Sequence, residues 1–369
     1  MRNLTLLTLL VGLGFLSACH SDAVQPAPDQ QLRLPLESHD YTIPDIPPEV
    51  FPMGSLVDQV SIDNHAAALG RVLFYDRKLS LNNSVSCASC HLQEKAFADP
   101  RAASVGFEGR LTSRNSIAIS NPALVGHLFW DSRSPNLIDL ALRPVENHVE
   151  MGFEDFDALA AKLAQTDYYP ELFEQAYPGA GISKQGIASA LTEFMMSMIS
   201  FDSKYDRGIM NDFTDFTAEE HIGMNLFFSQ RLACTNCHAA PTFTQASDFN
   251  GVGSNPYQSS KGAANIGLDR HYLDPGFRDG LFKIPSLRNV GLTAPYMHDG
   301  RFATLEEVID HYSDGIQPHP HLDHNLRNVD GSPRLLHLNT AEKKALVAFL
   351  HTLTDESYIT DSKYSDPFR

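Results

Sequence analysis

Several kinds of residue and pattern are scarce in this sequence, and each shortage excludes a class of protein. The 369 residues include five cysteines, of which four stand in two C-x-x-C pairs, so too few remain for a framework of disulfide bonds. Lys and Arg number 28 against 45 Asp and Glu, and the formal charge of -17 argues against nucleic acid or anionic lipid as a partner. Strand-like alternation of polar and apolar residues is nearly absent, so the chain is predicted to be mainly α-helical.

Long apolar runs are also scarce, and the clearest one lies at the start of the chain. It occupies residues 1–18, includes Arg2 and is too short to span a bilayer with its apolar part, so it predicts an export signal. It ends in Leu-Ser-Ala before Cys19, a pattern that resembles the lipoprotein box of bacteria. We therefore predict a periplasmic protein that is anchored to a membrane only through a lipid on Cys19. A cleaved signal followed by an incidental cysteine is the alternative.

The four remaining cysteines carry the main functional signal. Each pair is followed at once by histidine, and C-x-x-C-H is the attachment signature of c-type haem, in which the thiols add to the porphyrin vinyl groups and the histidine ligates iron. A zinc site or a thioredoxin-like dithiol is the alternative, but the sequence lacks a second suitable ligand set and an α/β pattern. The residues predicted to bind two haems are Cys87, Cys90, His91, Cys234, Cys237 and His238.

Capping residues and helical periodicity predict most of the secondary structure. Asp63 is a plausible N-cap, and a Thr217-x-x-Glu220 capping box starts a helix that runs up to the second cysteine pair. Apolar residues at i, i+3, i+4 and i+7 predict further amphipathic helices. The helical segments predicted in this way include residues 66–74, 156–163, 187–199 and 346–353.

Longer phrases carry a further signal. They are Leu69-Gly70-Arg71, Trp130-Asp131-Ser132-Arg133, Val149-Glu150-Met151 and the run from Thr293 to Gly300. With these phrases and the two cysteine pairs, the chain resembles the bacterial di-haem cytochrome c peroxidases, a family that includes the maturation enzyme of methylamine dehydrogenase. The resemblance covers roughly residues 50–355 and implies two cytochrome c-like domains, each of which wraps one covalent haem.

Composition and this resemblance together divide the chain into four parts. Residues 202–211 are the predicted crossover between the two haem domains, and the Pro-rich stretch before the first domain has no sustained period. The predicted parts are a lipoprotein-type signal at 1–18, a tether and extended wrap at 19–52, an N-terminal peroxidatic haem domain at 53–210 and a C-terminal electron-transfer haem domain at 211–369.

The resemblance implies that the first haem is the site where peroxide reacts. Many members of the family block this haem with a distal histidine about sixteen residues after the His91 position, but residues 104–109 contain no histidine, so we predict a constitutively open face. Glu150 matches the distal glutamate of the family, which would move a proton during cleavage of the O–O bond. His148 is a candidate auxiliary base. Pro144 matches a distal-pocket proline.

The second haem is predicted to be closed on both faces. His238 supplies one ligand, and Tyr312 stands where peroxidases of the family place a methionine. Leu305, Val308, Ile309 and Tyr312 fall on one helix face, which supports an inward tyrosine. A phenolate is a hard anionic donor that favours oxidised iron. Met297 is the rival ligand, and a core tyrosine bonded elsewhere is the other alternative.

The resemblance assigns further positions between the two haems. Trp130, the one tryptophan of the chain, would relay oxidising equivalents between them, although composition alone makes it a core anchor. Leu140 stands where the family usually has glutamine, which predicts a drier pocket. The positions that match calcium ligands are Asn115, Thr293 and Pro295, the last two through backbone carbonyls.

These residues predict an enzyme that reduces hydrogen peroxide to water at the first haem. Electrons would reach it through the second haem from a periplasmic donor, either a small cytochrome c or a cupredoxin. The first alternative is a maturation-type oxidase that uses peroxide to oxidise a residue of a partner protein through a high-valent state. The second is a non-catalytic di-haem electron carrier or redox sensor. Since peroxidases of the family are often dimers, a homodimer is a further expectation.

Overall fold

A computed structural model of the chain describes residues 30–52, 61–126, 128–245 and 262–368. It confirms the mainly helical fold class. Within these ranges the sheet structure consists of two-residue strands, β1 (Ala263–Ala264) and β2 (Phe282–Lys283), which pair antiparallel. The α-helices in the same ranges are α1 Asn64–Tyr75, α2 Leu137–Glu146, α3 Phe156–Leu163, α4 Tyr169–Ala176, α5 Lys184–Met196, α6 Lys204–Met210, α7 Ala218–Phe227, α8 Leu305–Asp310, α9 Thr340–His351 and α10 Glu356–Thr360.

The predicted helix starts are confirmed because they depend on contacts within three residues of the cap. The side chain of Asp63 accepts hydrogen bonds from the backbone N–H groups of His65 and Ala66 at the start of α1. Thr217 and Glu220 form the predicted capping box at the start of α7. Helices α3, α5 and α9 confirm the other predicted amphipathic segments, although α5 ends at Met196 and α9 at His351, before the predicted ends at residues 199 and 353.

The first half of the molecule is built on a close crossing of α1 and α5. Gly70 lies at the crossing, where a Cβ atom would stand 1.9 Å from the carbonyl oxygen of Ala190 and 2.8 Å from Cβ of Phe194. The two backbones can approach so closely only because glycine has no side chain. Around this contact lies a core that contains Leu69, Val72, Phe74, Leu191 and Phe194.

The second half repeats the same crossing with α7 and α9. A Cβ atom on Gly223 would stand 1.9 Å from the carbonyl oxygen of Ala345 and 2.8 Å from Cβ of Phe349. The surrounding core contains Phe227, Phe243, Leu346, Phe349 and Leu350. Each half therefore packs a helix that precedes its cysteine pair against a helix that follows it.

The predicted crossover at residues 202–211 contains helix α6, which Ser203 and Asp206 cap. Asp206 also receives a bidentate pair of hydrogen bonds of 2.8 Å from Arg288, and both side chains are buried. This buried pair ties the crossover to the segment after β2.

Both ends of the described chain pack on the first half. Leu32 pairs with Phe368 through a backbone bridge, and the hydroxyl of Tyr75 donates to the carbonyl of Tyr364 over 2.6 Å. The side chains of Tyr358, Tyr364 and Phe368 belong to the first core. Residues after α9 therefore return to the half that contains α1, and the predicted division into four parts stays a prediction.

Across the described ranges, none of the helices has the length and apolar character needed to cross a membrane. The predicted signal at residues 1–18 and the lipid site at Cys19 lie outside the described residues.

Candidate functional site

The two cysteine pairs adopt the same local structure. Each pair opens a single turn of 3-10 helix, at Cys87–Ser89 and at Cys234–Asn236. In each turn the backbone N–H of the following histidine donates to the carbonyl of the first cysteine, over 3.0 Å for His91 and 2.8 Å for His238. A compact turn therefore sets both sulfurs and one imidazole at one place, as the attachment signature requires.

Both histidine rings are oriented by a backbone carbonyl. Nδ1 of His91 lies 2.8 Å from the carbonyl oxygen of Phe97, and Nδ1 of His238 lies 3.1 Å from that of Phe243. Such a bond keeps the proton on Nδ1 and leaves Nε2 as the metal-binding atom. Burial lowers the pKa of His91 and lowers that of His238 to about 4, so both rings are neutral ligands at neutral pH.

One continuous cavity of about 760 Å³ joins the two turns. Its wall is largely apolar and includes the four thiols and both histidines of the two turns. Burial raises the pKa of Cys87 to about 12 and that of Cys90 to about 11, which is the reverse of the lowered pKa that a reactive dithiol needs. Two thiol pairs that line the cavity, two oriented imidazoles and one large apolar space fit two covalent haems.

A short loop after α2 places Glu150 in the wall near the first turn. The amide of Asn147 donates to Oε1 of Glu150 over 2.9 Å, while its own carbonyl accepts from the N–H groups of Glu150, Met151 and Gly152. Burial raises the pKa of Glu150, and the charge of this carboxylate contributes to the raised pKa of Cys87 and Cys90. The carboxylate therefore belongs to the first half of the cavity.

Residues 104–109 lie directly against this loop. The N–H of Phe107 donates to the carbonyls of Val149 and Glu150, over 2.8 and 2.9 Å. A Cβ atom on Gly106 would stand 2.1 Å from the carbonyl oxygen of Val149. Residues 104–109, where many members of the family place a blocking histidine, are thus packed backbone to backbone against the Glu150 loop. The contact requires glycine at Gly106.

Tyr312 lies in the wall near the second turn. Helix α8 ends at Asp310, and a π-helical turn follows at His311–Gly315, so Tyr312 stands in a widened turn and not in the regular helix that was predicted. Leu305, Val308 and Ile309 line the cavity with it, which agrees with the predicted face. Burial raises the pKa of the Tyr312 hydroxyl, and the neighbouring thiols of the second turn add to that rise. The hydroxyl donates no hydrogen bond to any residue within the described ranges.

Trp130 lines the cavity between the two turns. Its indole N–H donates to the carbonyl of Asn115 over 2.9 Å, and its own carbonyl accepts from the N–H of Lys283 over 2.8 Å. Asn115 precedes Ser116, whose hydroxyl lies 3.5 Å from Nε2 of His91. The indole is thereby fixed to elements of both halves.

Comparison with known proteins agrees with this geometry. The family model for di-haem cytochrome c peroxidase matches residues 64–214. The methylamine utilization protein MauG of Paracoccus denitrificans is 34% identical over 354 residues, which is 80% of this chain and 90% of that protein. The cytochrome c peroxidase Ccp of Escherichia coli is 32% identical over 259 residues, which is 70% of this chain and 55% of that protein.

A solved structure described as a MauG-like protein associated with microbial copper homeostasis is 34% identical. It covers 91% of this chain and 99% of its own, with a TM-score of 0.74. The chain belongs to the di-haem cytochrome c peroxidase family. The family is enzymatic, and it implies two c-type haems in this chain.

Of the other predicted site residues, three line the cavity and one lies on the protein surface. Pro144 and Leu140 line the cavity from α2, and Met297 lines it from the loop before α8. His148 is exposed and is not part of the wall, and its carbonyl accepts from Arg110 over 3.2 Å. Pro144 is therefore placed beside the cavity, whereas the predicted auxiliary base points away from it.

The predicted calcium residues also lie in the cavity wall. Asn115 donates through its side-chain N–H to the carbonyl of Arg101 over 3.0 Å. Thr293 and Pro295 lie in the segment whose His298 carbonyl accepts from the backbone of Asn115. Over the described residues no cluster of three or more His, Cys, Asp or Glu side chains has the arrangement of a metal site. Calcium therefore stays a prediction.

Two residues of the site escaped sequence reasoning. Asn147 holds Glu150, and the signal that could have found it is an Asx turn directly after a helix, since its Oδ1 accepts from the N–H of Val149 over 2.8 Å. Lys283 lines the cavity although it exposes only 9% of its surface. A single lysine in a two-residue strand carries no sequence signal of burial.

Proposed function

We propose that this chain reduces hydrogen peroxide at the haem of the first half. The haem of the second half would supply electrons to it and store oxidising equivalents. The observation that carries the proposal is the difference between two otherwise equivalent turns. Near the first turn the wall presents the carboxylate of Glu150, and near the second it presents the phenol of Tyr312. A carboxylate suits proton transfer, whereas a phenol suits the closing of a ligand position.

Haem iron with a free coordination position supplies peroxide binding and accepts two oxidising equivalents. The residues of the chain supply the proton transfer. Heterolysis moves one proton from the near oxygen of peroxide to the far oxygen, which leaves as water. Glu150 can accept this proton and return it, because burial raises its pKa and Asn147 fixes its position through one oxygen.

The first half supports an open and dry reaction site. Leu140 and Pro144 contribute apolar wall from α2, and residues 104–109 bring no histidine to the loop that holds Glu150. An apolar wall holds little water to compete for the peroxide proton, so it supports proton transfer through Glu150.

The second half supports a closed electron-transfer site. His238 and Tyr312 both line the cavity, and the Tyr312 hydroxyl makes no hydrogen bond with a described residue, so Nε2 of His238 and this hydroxyl would together hold the iron of the second haem. Trp130 stands between the halves and is proposed to relay charge. A small periplasmic cytochrome c or a cupredoxin is the proposed donor of the electrons that complete the reduction.

A second function is favoured by Tyr312. A phenolate stabilises oxidised iron better than a methionine thioether does, so the second haem would retain oxidising equivalents long enough to oxidise a residue of a partner protein. The name of the Paracoccus denitrificans relative, a methylamine utilization protein, agrees with this candidate. Both candidates require the same reaction with peroxide in the first half.

Peroxide titration of the ferric holoprotein tests the proposal. We expect optical and spin-resonance spectra of one high-spin and one low-spin haem, of which the high-spin signal changes when one equivalent of peroxide is added. Two low-spin haems that ignore peroxide would instead identify an electron carrier or sensor. Subsequent addition of a reduced cytochrome or cupredoxin then separates turnover with a small donor from a long-lived oxidised protein.

A further inference from the structure

Lys283 is a buried cation without a counter-ion in the described part of the chain. The side chain exposes 9% of its surface, lines the cavity and makes no hydrogen bond or ion pair with a described residue. Burial lowers its pKa to about 8, and no charged group of the described chain contributes to that shift. An ammonium group that is taken out of water and left unpaired is costly, so a partner anion is expected in the space that it faces.

Two other cations that line the cavity are already paired. The buried Arg288 forms its bidentate contact with Asp206, and the half-buried Arg114 lies between Asp131 and Asp274 at 2.6 and 2.7 Å. Lys283 differs from both because its side chain pairs with no described residue. An anion is therefore expected in the cavity that the side chain lines. Haem brings two carboxylates on its propionate arms, and these are the anions that the proposed cofactors supply.

The position of β2 selects one of the two haems. Ile284, the next residue, accepts through its carbonyl from the hydroxyl of Thr244 over 2.6 Å. Thr244 follows Phe243, whose carbonyl fixes the ring of His238. Lys283 is thus linked to the second turn through Ile284 and Thr244, and its own backbone N–H donates to the carbonyl of Trp130. This places the lysine at the edge of the second haem space that faces the tryptophan.

We propose that Lys283 binds a propionate carboxylate of the haem attached at Cys234 and Cys237 and thereby sets its reduction potential. The inference rests on the proposed binding of two haems and not on their reaction with peroxide. A fixed positive charge near the macrocycle favours the ferrous form, since reduction lowers the positive charge of the iron centre. Lys283 is a positioning residue that acts through the haem.

The test is a spectroelectrochemical titration of the holoprotein with Lys283→Met, which keeps the length of the side chain and removes the charge. We expect the ferrous-to-ferric ratio of the second haem at a fixed potential to fall roughly tenfold, which for one electron is about 59 mV. Lys283→Arg should retain the wild-type ratio. If Lys283→Met does not incorporate haem, Lys283→Gln replaces it.

Lys162 provides a matched control. Burial lowers its pKa to about 8 as well, but its ammonium donates to the carbonyl of Ser80 over 2.7 Å and it does not line the cavity. Lys162→Met should leave both haem potentials unchanged. The proposal is overturned by a wild-type potential in Lys283→Met, by an equal shift in Lys283→Arg, or by a shift confined to the first haem. A wild-type protein that does not react with peroxide would contradict the proposed function, whereas the haem potentials would still test the role of Lys283.

Discussion

The two halves of the molecule share one scaffold but line their parts of the cavity, here called the two walls, with different residues. Gly70 and Gly223 occupy the same kind of helix crossing, with the same 1.9 Å approach to a facing carbonyl, and both cysteine pairs lie in a 3-10 turn whose histidine is fixed by a phenylalanine carbonyl. The scaffold therefore does not distinguish the two haems. What differs is the element that follows, a loop with Glu150 in one half and a π-helical turn with Tyr312 in the other.

This comparison assigns the chemistry to the variable elements. A common turn can attach and orient any c-type haem, and the residue that meets the remaining face decides whether the iron binds peroxide or is closed. The conserved geometry of the two crossings would then contribute stability, and the two walls would contribute function. Substitutions in these four places separate the two contributions.

The largest effect is expected when the difference at the first wall is removed. Glu150→Gln keeps the size of the side chain and its contact with Asn147 but cannot accept the peroxide proton, so we expect the rate constant for reaction with peroxide to fall by about 10²–10⁴-fold. Stopped-flow absorbance of the ferric holoprotein measures it. Glu146→Gln is the control, because Glu146 is half-exposed and pairs with Lys184 over 2.7 Å away from the cavity.

The pH dependence of the same rate constant follows from the raised pKa of Glu150. Burial raises the folded-state pKa above the ordinary value, and the proton-accepting form exists only above that pKa. The rate should therefore be constant at high pH and fall as the pH falls through the raised pKa. Glu150→Gln should lose this acid limb. A limb that persists in the variant would assign the proton transfer to another group.

A smaller effect is expected when the shared scaffold is disturbed. Gly70→Ala and Gly223→Ala each push a methyl group into a facing backbone carbonyl that cannot move aside, so each should lower the free energy of unfolding by about 1–3 kcal/mol. Because the distances are the same, the two losses should agree within about 0.5 kcal/mol. Urea unfolding of the holoprotein measures them.

Gly186→Ala is the control for helix propensity. Gly186 also lies in α5, but its added methyl group would meet side-chain atoms and no facing backbone, namely the ring edge of Phe173 at 3.1 Å and Oγ of Ser183 at 3.4 Å. We expect no loss of stability, since alanine is favoured over glycine inside a helix by about 1 kcal/mol. A large difference between Gly70→Ala and Gly223→Ala would mean that the two crossings do not carry equal shares of the stability.

Sequence reasoning predicted the scaffold better than the walls, and the reason is distance along the chain. Caps such as Asp63 and Thr217 bond to backbone within three residues, and the helix faces repeat with the helix period, so both are visible locally. The return of Tyr364 to Tyr75 joins residues far apart in sequence. No local sequence pattern predicts such a contact.

The same reason separates the predicted site residues. Glu150 and Tyr312 were predicted from short phrases and lie in the cavity, whereas His148 was predicted from proximity in sequence to Glu150 and points to solvent. The burial of Lys283 depends on Trp130 and on the loop after the second turn, which meet only in the folded chain. The π-helical turn at Tyr312 likewise has no sequence signature of its own.

The smallest effect is expected when the second wall loses its phenol. Tyr312→Phe keeps the ring in the π-helical turn but removes the hydroxyl, so the ferric second haem should lose the charge-transfer absorption of a phenolate ligand. Without this hard anionic donor, the oxidised protein formed by peroxide should decay roughly tenfold faster. Tyr296→Phe is the control, since Tyr296 lines the cavity while its hydroxyl donates to the carbonyl of Val290 over 2.9 Å. If the spectrum and lifetime of Tyr312→Phe are unaltered, the closing role is assigned to Met297, which lines the same cavity. Glu150 would then be the remaining functional difference between the two walls.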